Sequence, residues 1–246
     1  MKVQQHIVKN TAVGKKLLAV LIDPDHYPAC ETLIDAFRET EPDLILVGGS
    51  FQGAEKTGLT ITSIKQRSNV PVVIFPGTPS QISSLADAIL LLSVISSRNA
   101  ELIIGKHVEA AFALRESKLE IIPTGYILVE AKSMTSVQYV SQSLPVPRNK
   151  PAIAAATALA GEQLGMRAIY LEAGSGAEEP VPDLLIKSVR ENTSGILICG
   201  GGIRTADQLE RVYACGADIA VVGTALERES SLLNQFIAVR NKFNNR

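Results

Sequence analysis

Eight short apolar runs recur along the chain, separated by longer segments in which apolar residues fall at helical spacing. The runs are LLAVLI (17–22), DLILVGG (43–49), VPVVIFP (70–76), AILLLSVI (88–95), EIIPTGYILV (120–129), AIYLEAG (168–174), GILICGG (195–201) and DIAVVG (218–223). Their near-continuous apolar character predicts parallel strands, packed inside a sheet on one face and covered by helices on the other. The stretch TADQLERVYACG shows how the intervening helices are written. Thr205 and Gln208 form a capping-box pair, Leu209, Val212 and Tyr213 make an apolar stripe, and Gly216 stops the helix. Eight such strand–helix units in 246 residues predict one (β/α)8 TIM barrel spanning 1–246, since a doubly wound sheet usually has fewer strands. The irregular segment is 130–155. Its prolines at 145, 147 and 151 break helical continuity, so it is expected to be a long loop after the fifth strand, with some helix of its own, on the catalytic face.

Composition narrows the function classes. With 46% hydrophobic and 20% charged residues the chain can bury a sizeable core. Its 24 basic and 25 acidic residues give no basic excess for nucleic acid or a membrane surface. The absence of Trp argues against a base-stacking face. Cys30, Cys199 and Cys215 are too far apart for a zinc knuckle and read as reduced, buried thiols. No apolar run approaches the ~18 residues of a membrane span. The N-terminal stretch also lacks the apolar core of a signal peptide, so a cytoplasmic protein is expected.

Glycine marks three successive strand ends: Tyr170-Leu171-Glu172-Ala173-Gly174-Ser175-Gly176, then Gly200-Gly201-Gly202-Ile203-Arg204, then Gly223-Thr224. A phosphate needs several donors close together, and glycine lets backbone amides approach without a Cβ in the way. Barrels commonly build such a site after strands seven and eight. A second signal is acidic. Asp23 ends the first strand and Ser50 follows the second, which brings a carboxylate and a hydroxyl together at the barrel mouth. With water and substrate phosphate oxygens, such a pair suits Mg2+, although Asp-Pro is also a common turn or cap. This half of the site is expected across the mouth from the glycine loops. Arg98, Lys106, Arg148 and Lys150 are candidates for a pyrophosphate or ordinary surface charges. His6, His26 and His107 lack ligand spacing.

The motifs LIDPD, LVGGS, FPG, SSRN, YLEAGSG, GGGIR and VVGTA together resemble the geranylgeranylglyceryl phosphate synthase family over essentially the whole chain. That resemblance implies a (β/α)8 barrel, Mg2+ and a homo-oligomer. It implies transfer of a prenyl group from its diphosphate to the 3-hydroxyl of sn-glycerol 1-phosphate, an ether-lipid step. It places Mg2+ on Asp23 and Ser50. Glycerol phosphate falls on Tyr170, Leu171, Glu172, Ala173, Gly174, Ser175, Gly176, Gly201, Gly202, Gly223 and Thr224, where relatives often have Asn in place of Thr224. Glu172 is the candidate base for the attacking hydroxyl, with Tyr170 a candidate positioning group. The prenyl tail would lie in a groove between barrel and helices, near AILLLSVI and GYILV. Two other readings share the phosphate cup: another phosphosugar barrel enzyme (isomerase or lyase), and a non-catalytic barrel that binds a phosphorylated metabolite or FMN.

Overall fold

A computed structural model of the chain describes residues 2–27, 29–49 and 54–245. Eight parallel strands close into a barrel in sequence order, β1 pairing with β8. They are β1 Leu17–Ile22, β2 Leu44–Val47, β3 Val72–Ile74, β4 Ala88–Val94, β5 Glu120–Leu128, β6 Ala168–Glu172, β7 Ile196–Gly200 and β8 Ile219–Val222. Each lies within the run that predicts it, trimmed by at most two residues at either end. The helices are α1 Val3–Thr11, α2 Glu31–Ala36, α3 Ala54–Lys65, α4 Lys106–Ser117, α5 Ser136–Ser141, α6 Pro151–Gln163, α7 Asp183–Asn192, α8 Ala206–Ala214, α9 Thr224–Arg228 and α10 Leu232–Asn244. The Thr205–Gln208 capping box forms as the sequence predicts, and Gly216 takes a positive φ of 109° just beyond α8. Among the described residues no helix is long and apolar enough to cross a membrane.

Alternation along the strands sorts side chains into two apolar clusters. Residues such as Leu18, Val20, Ile45, Ile169 and Leu171 pack outward against the helices. Leu17, Ala19, Leu44, Leu46, Leu90, Tyr126, Tyr170 and Ile198 fill the inside. Val3 and Ile7 of α1 join the inner cluster and close the N-terminal end of the barrel. Lys2 gives α1 no side-chain cap. Glu120, at the start of β5, substitutes by accepting the amides of Val3 and Gln4 at 2.5 and 3.2 Å.

The same end carries a recurring clip. Asp43, Asp87 and Asp218 immediately precede β2, β4 and β8. Each donates its own amide to the carbonyl of Leu18, Val72 or Leu197, respectively, on the preceding strand. Each carboxylate then accepts the amide of that same residue at 2.8, 2.8 and 2.9 Å. A cation completes every clip: Arg240 on Asp43, Lys65 on Asp87, and Arg190 on Asp218. A strand-starting aspartate therefore fixes register between neighbouring strands, which sets the height of every residue at the opposite mouth.

The segment 130–155 holds α5 and the start of α6. It is tied back to the sheet, since Val146 bridges Val129, donates to Leu128 O and accepts from Glu130 N. Its position after β5 puts α5 over the C-terminal mouth.

The clip makes a stability prediction. Asp218→Ala strips the buried Leu197 amide of its acceptor and leaves Arg190 without its carboxylate. The loss of a charge-assisted bond of this kind should cost about 1.5–3 kcal/mol. At about 2–4 °C per kcal/mol for a chain of this size, thermal unfolding should shift down by roughly 3–12 °C. A melting temperature within a degree of wild type would show that the clip does not hold register.

Candidate active site

A cavity of about 530 Å³ opens at the C-terminal mouth. Its floor is aromatic. Phe75 after β3, Tyr126 of β5 and Tyr170 of β6 stand with ring centroids 5.2–6.2 Å apart, and Tyr126 and Tyr170 are partners in register. Glu172 lies two residues beyond Tyr170 on the same strand, so it projects inward one layer higher. Leu171 and Ala173 alternate to the other face and pack in the outer core. They place no side chain at the cavity, contrary to a reading in which the whole motif lines it, and the Ala173 amide is already spent on Gly200 O.

Glu172 is almost wholly buried. Its Oε1 accepts the Gly174 amide at 2.6 Å. Burial pushes its carboxyl up to about 7, against the pull of that amide and of the nearby Tyr170 hydroxyl. Burial, reinforced by Glu172, also drives the Tyr170 phenol well above its ordinary range. Although the two groups are close enough to influence each other's ionisation, the Tyr170 hydroxyl completes no hydrogen bond of good geometry among the described residues. An unsatisfied buried donor at a cavity floor is a place for a ligand oxygen. Gly201, at φ 81°, makes this packing possible, because a Cβ there would sit 2.5 Å from Glu172 Oε1 and 2.7 Å from Gly174 N.

Around Glu172 the cavity wall is made by Ser175, Gly176, Gly201, Gly202, Gly223 and Thr224. The amides of Ser175, Gly176, Gly202 and Thr224 bond no acceptor among the described residues. They form the set of donors that the glycine pattern predicts, with the first amides of α8 and α9 behind them. From this polar end the cavity runs between β4 and α4, where Ile82, Ile89, Leu91, Leu102, Ala110 and Leu114 make an apolar arm. The groove between barrel and helices expected beside AILLLSVI is this arm; from the GYILV segment only Tyr126 reaches the cavity.

Asp23 lies on the wall beside Gly49, and its Oδ1 accepts the Asp25 amide at 3.0 Å, so it is also the cap that Asp-Pro commonly marks. Burial raises its carboxyl above the ordinary range, partly countered by that amide. Because β1 neighbours β8, Asp23 stands beside the Gly223 loop instead of across the mouth from it. Glu227 of α9 links the two, accepting the Asp23 amide with Oε1 and meeting His26 Nδ1 with Oε2 at 2.8 Å. Burial works against protonation of His26, but the Glu227 hydrogen bond and charge prevail and raise its pKa. Ser50, the other residue expected to hold metal, lies outside the described residues.

Of the basic candidates, only Lys106 lines the cavity, where it pairs with Glu109. Arg98 binds carbonyls of its own loop, and Arg148 is engaged by Glu179 and Pro180 O. His107 reaches the wall and bonds Leu92 O at 2.9 Å. Sequence reasoning misses Glu227, because nothing in a five-residue helix marks it. It also misses Phe75, although the FPG run places it at a strand end.

Known proteins resemble this chain over nearly its whole length. Residues 11–240 match the family model described as PcrB family. The chain is 45% identical over 233 residues to geranylgeranylglyceryl phosphate synthase of Spirosoma linguale, covering 94% of each. It is 44% identical to the enzyme of that name from Pyrococcus abyssi, covering 94% of this chain and 92% of the relative. Among solved structures, the Thermoplasma acidophilum (S)-3-O-geranylgeranylglyceryl phosphate synthase, in complex with its substrate sn-glycerol-1-phosphate, superposes with a TM-score of 0.92. The two are 31% identical, over 98% of this chain and 99% of that one. The chain belongs to the PcrB family, alongside the geranylgeranylglyceryl phosphate synthases.

Proposed function

We propose that the protein transfers a geranylgeranyl or similar prenyl group from its diphosphate to the 3-hydroxyl of sn-glycerol 1-phosphate, releasing pyrophosphate. The observation that carries this reading is the form of the cavity: an amide-lined polar end and an apolar arm meet at one buried carboxyl, Glu172. The polar end suits a phosphate monoester. The arm suits a hydrocarbon tail, whose burial supplies about 25 cal/mol per Å² removed from water.

The chain's own residues account for the rest. Amides from the loops after β6, β7 and β8 hold the phosphate. Glu172 accepts the glycerol hydroxyls, and the Tyr170 hydroxyl donates to a substrate oxygen. As the glycerol 3-oxygen bonds the prenyl C1, the C1–O bond to diphosphate breaks and the hydroxyl proton passes to Glu172. A carboxyl at about 7 is half ionised at neutral pH, so it can take that proton and release it to water in the next cycle.

The donor set also suits Mg2+. Such an ion usually takes one or two protein carboxylates and completes its shell with water and substrate phosphates. Asp23 offers one half-buried carboxylate at the cavity wall, raised in pKa by burial in the way an adjacent cation would relieve. With Ser50, as the motif implies, it would hold the ion. Mg2+, when bound, neutralises charge on the departing pyrophosphate.

The direct test is incubation of the protein with Mg2+, sn-glycerol 1-phosphate and prenyl diphosphates of several lengths, with mass analysis of products. A prenylglyceryl phosphate should form and should vanish with EDTA. Pyrophosphate release without an ether product, or turnover of a phosphosugar alone, would refute the reading.

Two variants probe its halves. Glu172→Gln should cut turnover by roughly 10²–10⁴. In the wild type the basic form is the active one, so kcat/KM should fall tenfold per pH unit below about 7, and this limb should be absent from the variant. A wild-type profile flat from pH 5 to 8 would remove Glu172 as the base. Asp23→Asn should nearly abolish transfer and weaken Mg2+-dependent binding of the diphosphate. Calorimetric binding of glycerol 1-phosphate without metal should stay within about threefold, ~0.6 kcal/mol. Loss of both ligands together would mean that Asp23 shapes the whole mouth.

A further inference from the structure

The loop between β6 and α7 carries two of the cavity's unbonded amides, those of Ser175 and Gly176. It contains no regular structure, and Gly176 sits at φ 72°. Glycine accepts either orientation of the next peptide at little steric cost. The Ala177 amide donates to Gly174 O at 3.1 Å and closes the turn that carries the two unbonded amides, which leaves the carbonyls of Gly176 and Ala177 to be met from outside it. A carbonyl turned towards the phosphate end would repel an anion, so a donor that holds these two carbonyls away supports the turn.

Arg204 is that donor. Its Nη2 donates to Gly176 O and to Ala177 O, both at 2.8 Å. The arginine is itself fixed: its backbone amide donates to Gln208 Oε1 at 2.7 Å, within the capping box that starts α8. The far end of the loop has a separate anchor in Arg148, which holds Glu179 and Pro180 O.

We propose that Arg204 is a positioning residue for the phosphate-binding loop: it sequesters the carbonyls of Gly176 and Ala177 and so presents the Ser175 and Gly176 amides to a phosphate monoester. The proposal rests on reading this cavity end as the glycerol phosphate site. Arg204 acts before the ligand arrives, by raising the fraction of protein with a binding-competent loop, and apparent affinity scales with that fraction.

The test uses Arg204→Met, which keeps the stem and removes the guanidinium, in two measurements. In ligand-free protein, amide hydrogen exchange over residues 174–178 should speed up at least tenfold, while exchange in the strands stays unchanged. In steady-state kinetics, KM for glycerol 1-phosphate should rise roughly tenfold or more, with kcat and the KM for prenyl diphosphate within about threefold. Unchanged exchange over 174–178 would overturn the proposal, even if KM rose, because Arg204 would then be touching the phosphate directly. An unchanged KM would also overturn it, as would equal loss for both substrates. If the Met variant fails to fold, Arg204→Lys takes its place, since a single ammonium lacks the planar fork. A wild-type protein that does not bind glycerol 1-phosphate would refute the functional reading, whereas the exchange experiment judges the clamp without any ligand.

Discussion

Burial of one ionisable carboxyl, Glu172, is the constraint around which the mouth of this barrel is arranged. A carboxylate with almost no solvent needs its lone pairs met by the protein. Gly174 supplies one amide, and the loop must turn sharply to bring it back. Gly201 must lack a side chain to leave room. Tyr170 stands beneath with a hydroxyl that no described residue satisfies. The group so held sits where a polar, amide-lined end meets an apolar arm. That is where a reaction joining a hydrophilic phosphate ester to a hydrocarbon must occur.

The arrangement has a cost in stability. Moving a carboxyl from an ordinary 4.5 to about 7 disfavours the folded state by on the order of 3 kcal/mol once the group is ionised. The sign follows from the raised value. The contribution of protonated Glu172 to stability is fully present below about 4.5 and is lost as pH rises towards 7. The N-terminal end of the barrel offsets this. There the aspartate clips and the Glu120 cap of α1 fix strand register, far from the chemistry. Division of labour between a stable bottom and a costly top is what the barrel architecture permits.

Much of this was legible in the sequence. Strand identity followed from apolar runs because both faces of each strand are covered, and the phosphate end followed from glycine at three successive strand ends. The period-two alternation that puts Glu172 above Tyr170 was equally present, and applied to Leu171 and Ala173 it excludes their side chains from the cavity. Contacts between distant loops were not legible. Glu227 meets Asp23 across 204 positions, and Arg204 meets Ala177 across 27, with no local pattern announcing either. The place of Asp23 beside the Gly223 loop depended on barrel closure, which joins the first strand to the last.

Glu172 as a buried acid poised at neutral pH has a direct spectroscopic signature in infrared difference spectra taken across a pH titration. A protonated, buried carboxyl gives its own C=O stretch. In wild-type protein that band should lose half its intensity near pH 7 and should be missing from Glu172→Gln. A band that titrates near 4.5, or one that survives the substitution, would contradict the account.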